Sequence, residues 1–345
     1  MRLNFLPQIQ SKASYGHYIG GWHAGWRRKA NVSVNGRLLP ELFVILPGGP
    51  LRLMKYGFMM KLQTPVADVK CKTGISYSDK IMMLGSCFTD SIGELLCNYG
   101  FDVCRNPFGT LYNPLSIAAS VERLVSGRNF TFEDVVQLGA GSGLFCSFSH
   151  GTLSARDTAE EFLREANERL AVASAFFSSC NKVIITLGTA WCYRHRERDV
   201  VVSNCLKRDA REFERQLCPV GRVAEALAGI MGMCPDKKFI FTVSPIRHFR
   251  DGAHANQISK STLLLGVEQV LGNFPQADYF PSYEIMNDEL RDYRFYAEDM
   301  CHPSQQAVGY ICERFLDWAL PECEHGQLME NIRKWKVSRH RPMHR

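Results

Sequence analysis

Five short segments of the 345-residue chain carry the side chains best suited to making and breaking bonds. Gly85-Ser86-Cys87-Phe88 sets a hydroxyl beside a thiol, two adjacent nucleophiles. Asn106-Pro107-Phe108-Gly109 and Gly188-Thr189-Ala190-Trp191 contain glycines, whose backbone N–H groups can approach a ligand with no Cβ in the way. Ser244-Pro245-Ile246-Arg247-His248 brings a guanidinium and an imidazole, and Asp299-Met300-Cys301-His302 a carboxylate three residues from a second imidazole. A nucleophile, a base, an orienting carboxylate and amide donors are the components of group transfer through a covalent intermediate.

For these segments to meet, the chain must bring them to one edge of a fold. From Lys80 onward, short β-branched runs alternate with helix-length amphipathic segments, the pattern of a parallel sheet covered by helices. Strands are predicted at Lys80–Leu84, Phe101–Val103, Lys182–Leu187, Lys238–Val243 and Tyr279–Phe280. Helices are predicted at Asp90–Tyr99, with Gly100 as a left-handed cap, and at Leu115–Val125, Asp157–Phe177, Val220–Met231, Ile258–Leu271 and from Pro303 through Trp318. Residues 126–156, rich in Gly, Ser and Phe, read as an irregular insertion. Each of the first four chemical segments then follows a strand, and the fifth precedes the last helix. In open α/β sheets, ligands bind outside the carboxyl ends of the strands, so the five segments are expected to converge there.

Composition sets the outer bounds. With 46% hydrophobic and 22% charged residues the chain has ample apolar material for a core, which excludes disorder and fibrous repeats. No run approaches the roughly 18 apolar residues of a membrane helix, and the first residues lack the basic start and apolar run of a secretory signal. The expected location is therefore the cytoplasm, with no membrane partner. Thirteen cysteines, odd in number and never spaced Cys-x-x-Cys, read as reduced thiols, with neither disulfides nor metal expected. The formal charge of +6 invites a nucleic-acid reading, but residues 1–59 hold eight Lys or Arg against Glu41 alone, a net +7. The remainder is close to neutral, and no nucleic-acid partner is expected.

Longer strings around the same segments carry a resemblance. Leu84 to Phe88, Asn106 to Pro114, Ile185 to Trp191, Thr242 to His248 and Tyr293 to Ser304 occur in the order and spelling of the GSCFA family, named for its Gly-Ser-Cys-Phe-Ala motif. The resemblance covers about residues 60–318. That family is in turn similar to the SGNH, or GDSL-like, hydrolases, which implies a three-layer α/β/α sandwich with a central parallel sheet, flavodoxin-like, and esterase or acyltransferase chemistry without a cofactor. It also implies three regions: an N-terminal extension over 1–59, whose family-like sequence starting at Met60 suggests a misassigned start; the α/β domain over 60–318; and a basic C-terminal tail over 319–345.

The resemblance assigns roles. Cys87 takes the place of the nucleophile, with Ser86 the competing one. Asp299 and His302 take the places of the carboxylate and the base. Gly109 supplies an oxyanion donor, and Asn106, Arg247 and His248 face substrate. A helix N-terminus at Cys87 would favour its thiolate. The competing reading makes Cys87 one more buried small side chain and Asp299 the cap of a turn with His302 packed beneath it. The third block departs from the SGNH pattern, since Ala190 stands where an Asn is usual, leaving Thr189 or the Gly188 amide to substitute. Gly188 and Thr189 read equally well as a tight turn, and Arg247 as half of a surface ion pair. Cys146 and Leu206 replace histidines common in the family, in segments expected to face substrate. Two functions are thus open: acyl transfer or hydrolysis on ester-linked acyl groups, carbohydrate esters being the favoured class, or non-catalytic binding in the same cleft.

Overall fold

The computed structural model describes residues 64–66, 71–139 and 141–339, together with the short paired strands Ser33–Val34 and Arg37–Leu38. Apart from those two strands, the expected extension over 1–59 lies outside the described residues, as do residues 340–345 of the tail. Contacts divide the chain into Met1–Leu62 and Gln63–Arg345, and the second unit holds all five chemical segments.

Five strands form its central sheet: β1 (Lys80–Gly85), β2 (Asp102–Arg105), β3 (Lys182–Leu187), β4 (Lys238–Val243) and β5 (Ala277–Tyr279). They lie in the order β2-β1-β3-β4-β5, and every pairing is parallel. The connections are α1 (Cys87–Asn98), α2 (Pro114–Ser126), α3 (Ala159–Ser179), α4 (Val220–Met233) and α5 (Gly252–Leu271), with α6 (Gln305–Ala319) and α7 (His325–Arg339) after the last strand.

Strand alternation divides the interior in two. Met82 and Leu84 of β1, with Val183, Ile185, Phe239 and Phe241, face a core shared with Ile117, Leu170, Val223 and Leu263 of α2 to α5. Ile81 and Met83, with Ile184 and Ile240, face the other core, closed by Ile92 and Leu96 of α1 and by Ile311 and Phe315 of α6. A sheet buried on both faces explains why its strands read as unbroken apolar runs. The architecture is the expected three-layer α/β/α sandwich. Its strand order reverses between β1 and β3, and the loops leaving their carboxyl ends open the crevice where ligands settle in such sheets.

Several local expectations are corrected. Helix α1 begins at Cys87, three residues before the expected start, which puts the thiol inside the first turn. Helix α5 begins at Gly252, because the polar first turns give no apolar periodicity to read. The segment expected to be irregular contains an antiparallel hairpin, Val135–Gln137 with Phe145–Ser147. A three-stranded antiparallel sheet of Phe213–Leu217, Trp191–His195 and Val200–Val202 was not expected at all. Its strands run three to five residues and mix Arg and Glu with apolar positions, too short and too polar for a clear period of two. The expected basic tail is helical over α7, where Leu328 is buried, Trp335 meets the Tyr99 ring edge-on at 5.5 Å and the Asn331 side chain donates to the Tyr99 carbonyl.

Candidate active site

The two candidate nucleophiles stand at a sharp exit from β1. Gly85 adopts φ of 146°, and a Cβ there would lie 2.2 Å from the Thr186 carbonyl oxygen of β3, so only glycine lets the two strands close. Ser86 follows as the N-cap of α1 in extended geometry, and Cys87 is the first helical residue. The two candidate nucleophiles part at this corner. Ser86 is 1% exposed, and its Oγ is buried without a hydrogen-bond partner. The Cys87 sulfur lies 3.6 Å from Nε2 of His302.

Behind the imidazole stands the carboxylate. His302 Nδ1 lies 2.5 Å from Oδ2 of Asp299, while Asp299 Oδ1 accepts the backbone N–H groups of Cys301 and His302, each at 2.9 Å. Those two N–H donors and the imidazole hold the Asp299 carboxyl well below the usual range, at about 2, so it is ionised at neutral pH. The turn closes through a positive φ of 55° at Met300 and is tied to the strand-end segments by the Arg247 N–H donating to the Cys301 carbonyl. Both side chains are half exposed, so the imidazole is open to solvent.

Burial pushes the Cys87 thiol up, against the expectation that a helix N-terminus would lower it. The N–H groups of Cys87 and Phe88, which face the sulfur, and the charge of Lys260 pull downward, while Asp90 adds to the rise. The first-turn amides therefore act in the expected direction, and desolvation outweighs them.

The expected oxyanion donors are corrected on geometry. The Gly109 N–H donates to the Asn106 carbonyl at 2.8 Å, and those of Gly188 and Thr189 both donate to the Tyr112 carbonyl, at 2.9 and 2.8 Å. The Thr189 hydroxyl lies 2.9 Å from that of Ser259 and accepts the Trp191 N–H. These groups hold the loops and leave the amides at the start of α1 as the donors closest to the sulfur. Gly109 keeps a separate requirement for glycine, a φ of 92° with a Cβ position 3.0 Å from the Gly151 nitrogen.

Asn106, expected to face substrate, is buried and spends its side chain on scaffolding. Its Oδ1 accepts the Gly85 N–H and its Nδ2 donates to Asp90, both at 2.9 Å, fastening the end of β1 to α1. Cys146 and Leu206 are each 0% exposed and belong to the core, so they are packing residues and do not line the cleft. Ala190 is buried too, with its N–H donated to the Ser259 hydroxyl at 2.8 Å.

Arg247 and His248 remain, in the segment tied to the Asp299–His302 turn. The Arg247 guanidinium lies over the Phe249 ring, 4.6 Å from its centroid. The His248 ring meets Tyr112 edge-on, its Nε2 is buried without a partner, and burial with Lys260 nearby lowers its pKa to about 4, so it stays neutral at pH 7. The residues that sequence reasoning missed are Ser259 and Lys260 of α5, which hold the segments after β3 and β4 from behind. Their signal was present: Lys260 stands at helical spacing from the buried Leu263, Val267 and Val270, a charge on the core face. Among the described residues no cluster of His, Cys, Asp or Glu is arranged to hold a metal ion, and no helix is long and apolar enough to cross a membrane.

No curated protein matches the chain. Similar solved structures include the psychrotrophic esterase EstA of Pseudoalteromonas sp., at 11% identity and a TM-score of 0.31 over 75% of this chain and 100% of its own. A family 3 carbohydrate esterase of Clostridium thermocellum aligns at 11% identity and a TM-score of 0.32, over 73% of this chain and 98% of its own. The acetyl xylan esterase Est2A of the rumen bacterium Butyrivibrio proteoclasticus aligns at 10% identity and 0.36, over 76% of this chain and 66% of its own. The sequence model of the GSCFA family matches residues 80–315, from the first residue of β1 into α6, and the chain therefore belongs to the GSCFA family.

Proposed function

We propose that the protein is an acyl-transfer enzyme working through a thioester on Cys87. The observation that carries this reading is the line of Cys87, His302 and Asp299, with contacts of 3.6 and 2.5 Å. His302 Nε2 takes the thiol proton as the sulfur attacks an ester carbonyl and the C–S bond forms. The tetrahedral oxyanion faces the amides at the start of α1. Its collapse breaks the C–O bond, and the alcohol leaves with the proton held by His302. Water, or an acceptor hydroxyl, then gives a proton to the same nitrogen and attacks the thioester, which returns the thiol. Asp299, ionised and bonded to Nδ1, keeps the imidazole in the tautomer and orientation both steps need.

The substrate class proposed is an ester-linked acyl group, of a carbohydrate for preference. A neutral His248 with an unpartnered Nε2 and the neighbouring Arg247 suit a polar, hydroxyl-rich alcohol portion. One observation favours the binding-protein reading: the amides of Gly109, Gly188 and Thr189 are already bonded to protein carbonyls, and Ala190 provides no amide side chain. Incubation with an activated acetyl ester, followed by peptide mass spectrometry, separates the two. An acetyl group on the Cys87 peptide supports acyl transfer, and an unmodified Cys87 with unchanged ester supports binding alone.

A further inference from the structure

Six arginines among the described residues are half-buried, and five of them find a carboxylate inside the fold. Arg123, Arg156, Arg194, Arg208 and Arg314 each pair with an aspartate or a glutamate. Arg247 is the sixth, and it forms no ion pair among the described residues. Its position is fixed next to the Asp299–His302 turn. The Arg247 N–H donates to the carbonyl of Cys301 at 3.2 Å, one residue before His302, and the guanidinium lies 4.6 Å from the centroid of the Phe249 ring. Tyr296 flanks the same turn, since it bridges Pro303 on the far side of His302. Burial raises the Tyr296 phenol, and Arg247, by charge and by hydrogen bond, pulls it back. In the adjoining residue, Nε2 of His248 is buried without a partner.

A structural role accounts poorly for this arginine. Phe249 is 39% exposed and belongs to neither core, so the ring contact does not hold the fold together. A guanidinium, unlike an amine or an imidazole, cannot escape burial by losing its proton, and an aromatic face returns only part of the hydration it gives up. The absent counter-charge is then a ligand's to supply. Its place on the ligand follows from the chemistry: His302 returns its proton to the leaving alcohol, so the alcohol portion of an ester lies on the side of the site to which Arg247 is tied. Resting on the acyl-transfer reading, we propose that Arg247 binds a carboxylate on the alcohol portion of the substrate, which makes the substrate class an O-acylated hydroxy acid, an acidic sugar rather than a neutral one. A carboxylate fits better than a phosphate. The planar fork grips one carboxylate with two parallel hydrogen bonds, whereas a phosphate dianion calls for more positive charge than one guanidinium beside a neutral His248 provides.

The test compares two acetyl esters of the same shape, 4-acetoxybenzoate and 4-acetoxybenzamide, on the full chain and on its Arg247→Gln and Arg247→Lys variants. Each rate is divided by that of spontaneous hydrolysis, which removes the difference between the leaving groups. The parent protein should favour the carboxylate ester about tenfold in kcat/KM, with most of the difference in KM. Arg247→Gln should bring that ratio to about one, and Arg247→Lys, a cation without the fork, should fall between. Equal kcat/KM for the two esters in the parent, or a folded Arg247→Gln with the parental ratio, would overturn the proposal. A preference for 4-acetoxyphenyl phosphate over the benzoate would overturn the choice of carboxylate. Equilibrium titration with 4-hydroxybenzoate and 4-hydroxybenzamide, followed by NMR, needs no turnover and separates this proposal from the reading it rests on. If neither ester is turned over, acyl transfer fails; tighter binding of the benzoate that Arg247→Gln abolishes would still establish the carboxylate site, and equal binding of the two would remove it.

Discussion

Among the described residues two nucleophile–histidine pairs occur, and they behave differently. Ser147 Oγ lies 2.7 Å from Nδ1 of His150, closer than Cys87 lies to His302. Yet His150 is 1% exposed, its ring packs against Phe108, Phe130 and Phe162, and its Nε2 has no partner. Burial, with Arg169 and Arg123 nearby, pulls its pKa to about 3 against the weaker influence of Asp134, so it remains neutral, and its Nδ1 faces the Ser147 hydroxyl, not a carboxylate. The Cys87 pair has the longer contact, but also an ionised carboxylate behind the ring and half-exposed side chains. On the acyl-transfer reading, a short contact between a hydroxyl and an imidazole is therefore not what makes a site. The pair must also be open to a substrate and able to hold the transferred proton.

The largest expected effect separates the two pairs outright. Cys87→Ala and His302→Ala should each lower acyl transfer by several orders of magnitude, on the scale of about 10⁶ seen when triad members are removed elsewhere. Ser147→Ala and His150→Leu should keep parental activity per folded molecule. Steady-state rates on an activated ester, normalised to folded protein by circular dichroism, check both halves, and a dead Ser147→Ala would invert the comparison. Next in size is Asp299→Asn, expected to cost about 10² to 10⁴ in turnover because the imidazole loses its orienting anion and keeps its place. Turnover below that of His302→Ala would contradict the order of roles.

Smaller effects fall on stability. His150→Leu should cost about 1–3 kcal/mol in urea unfolding, since it leaves the Ser147 hydroxyl buried without its partner. The acid limb should change as well. The folded-state pKa of His150, about 3, lies below its ordinary 6.5, so the unfolded chain takes up a proton first and stability is lost as pH falls from about 6.5 towards 3. The His150→Leu variant should show a shallower decline across that window, measured as unfolding midpoint against pH. The smallest effect is expected at Ser86→Ala. The Ser86 hydroxyl is buried without a partner, so its removal should leave activity within a few-fold and stability unchanged or slightly raised.

The same contrast shows how far the sequence could be read. Strands β1, β3 and β4 were legible because a sheet covered on both faces demands continuous apolar runs, and the strand-end rule then grouped Cys87, Asp299 and His302 correctly in space. The start of α1 was misplaced by three residues, because Cys87, Phe88 and Thr89 resemble a turn until the Gly85 corner is seen. Asn106 looked like a ligand group because amide side chains bind substrates and strand ends alike, and only its two hydrogen-bond partners decide which. Cys146 and Leu206 looked substrate-facing because they replace polar residues, although both are core.

What the sequence by itself determined is the layered α/β sheet and the order of its main strands and helices, since hydrophobic period is a local quantity. Cys87, Asp299 and His302 were singled out by the family resemblance, with Ser86 left as a rival nucleophile. What only the tertiary structure decided is the electrostatic state of those residues. The raised thiol of Cys87, the ionised Asp299, the neutral His248 and the buried amine of Lys260 each depend on groups distant in the chain and on water excluded by packing. Desolvation and Coulomb interactions act across space, and residue spacing along the chain does not encode them.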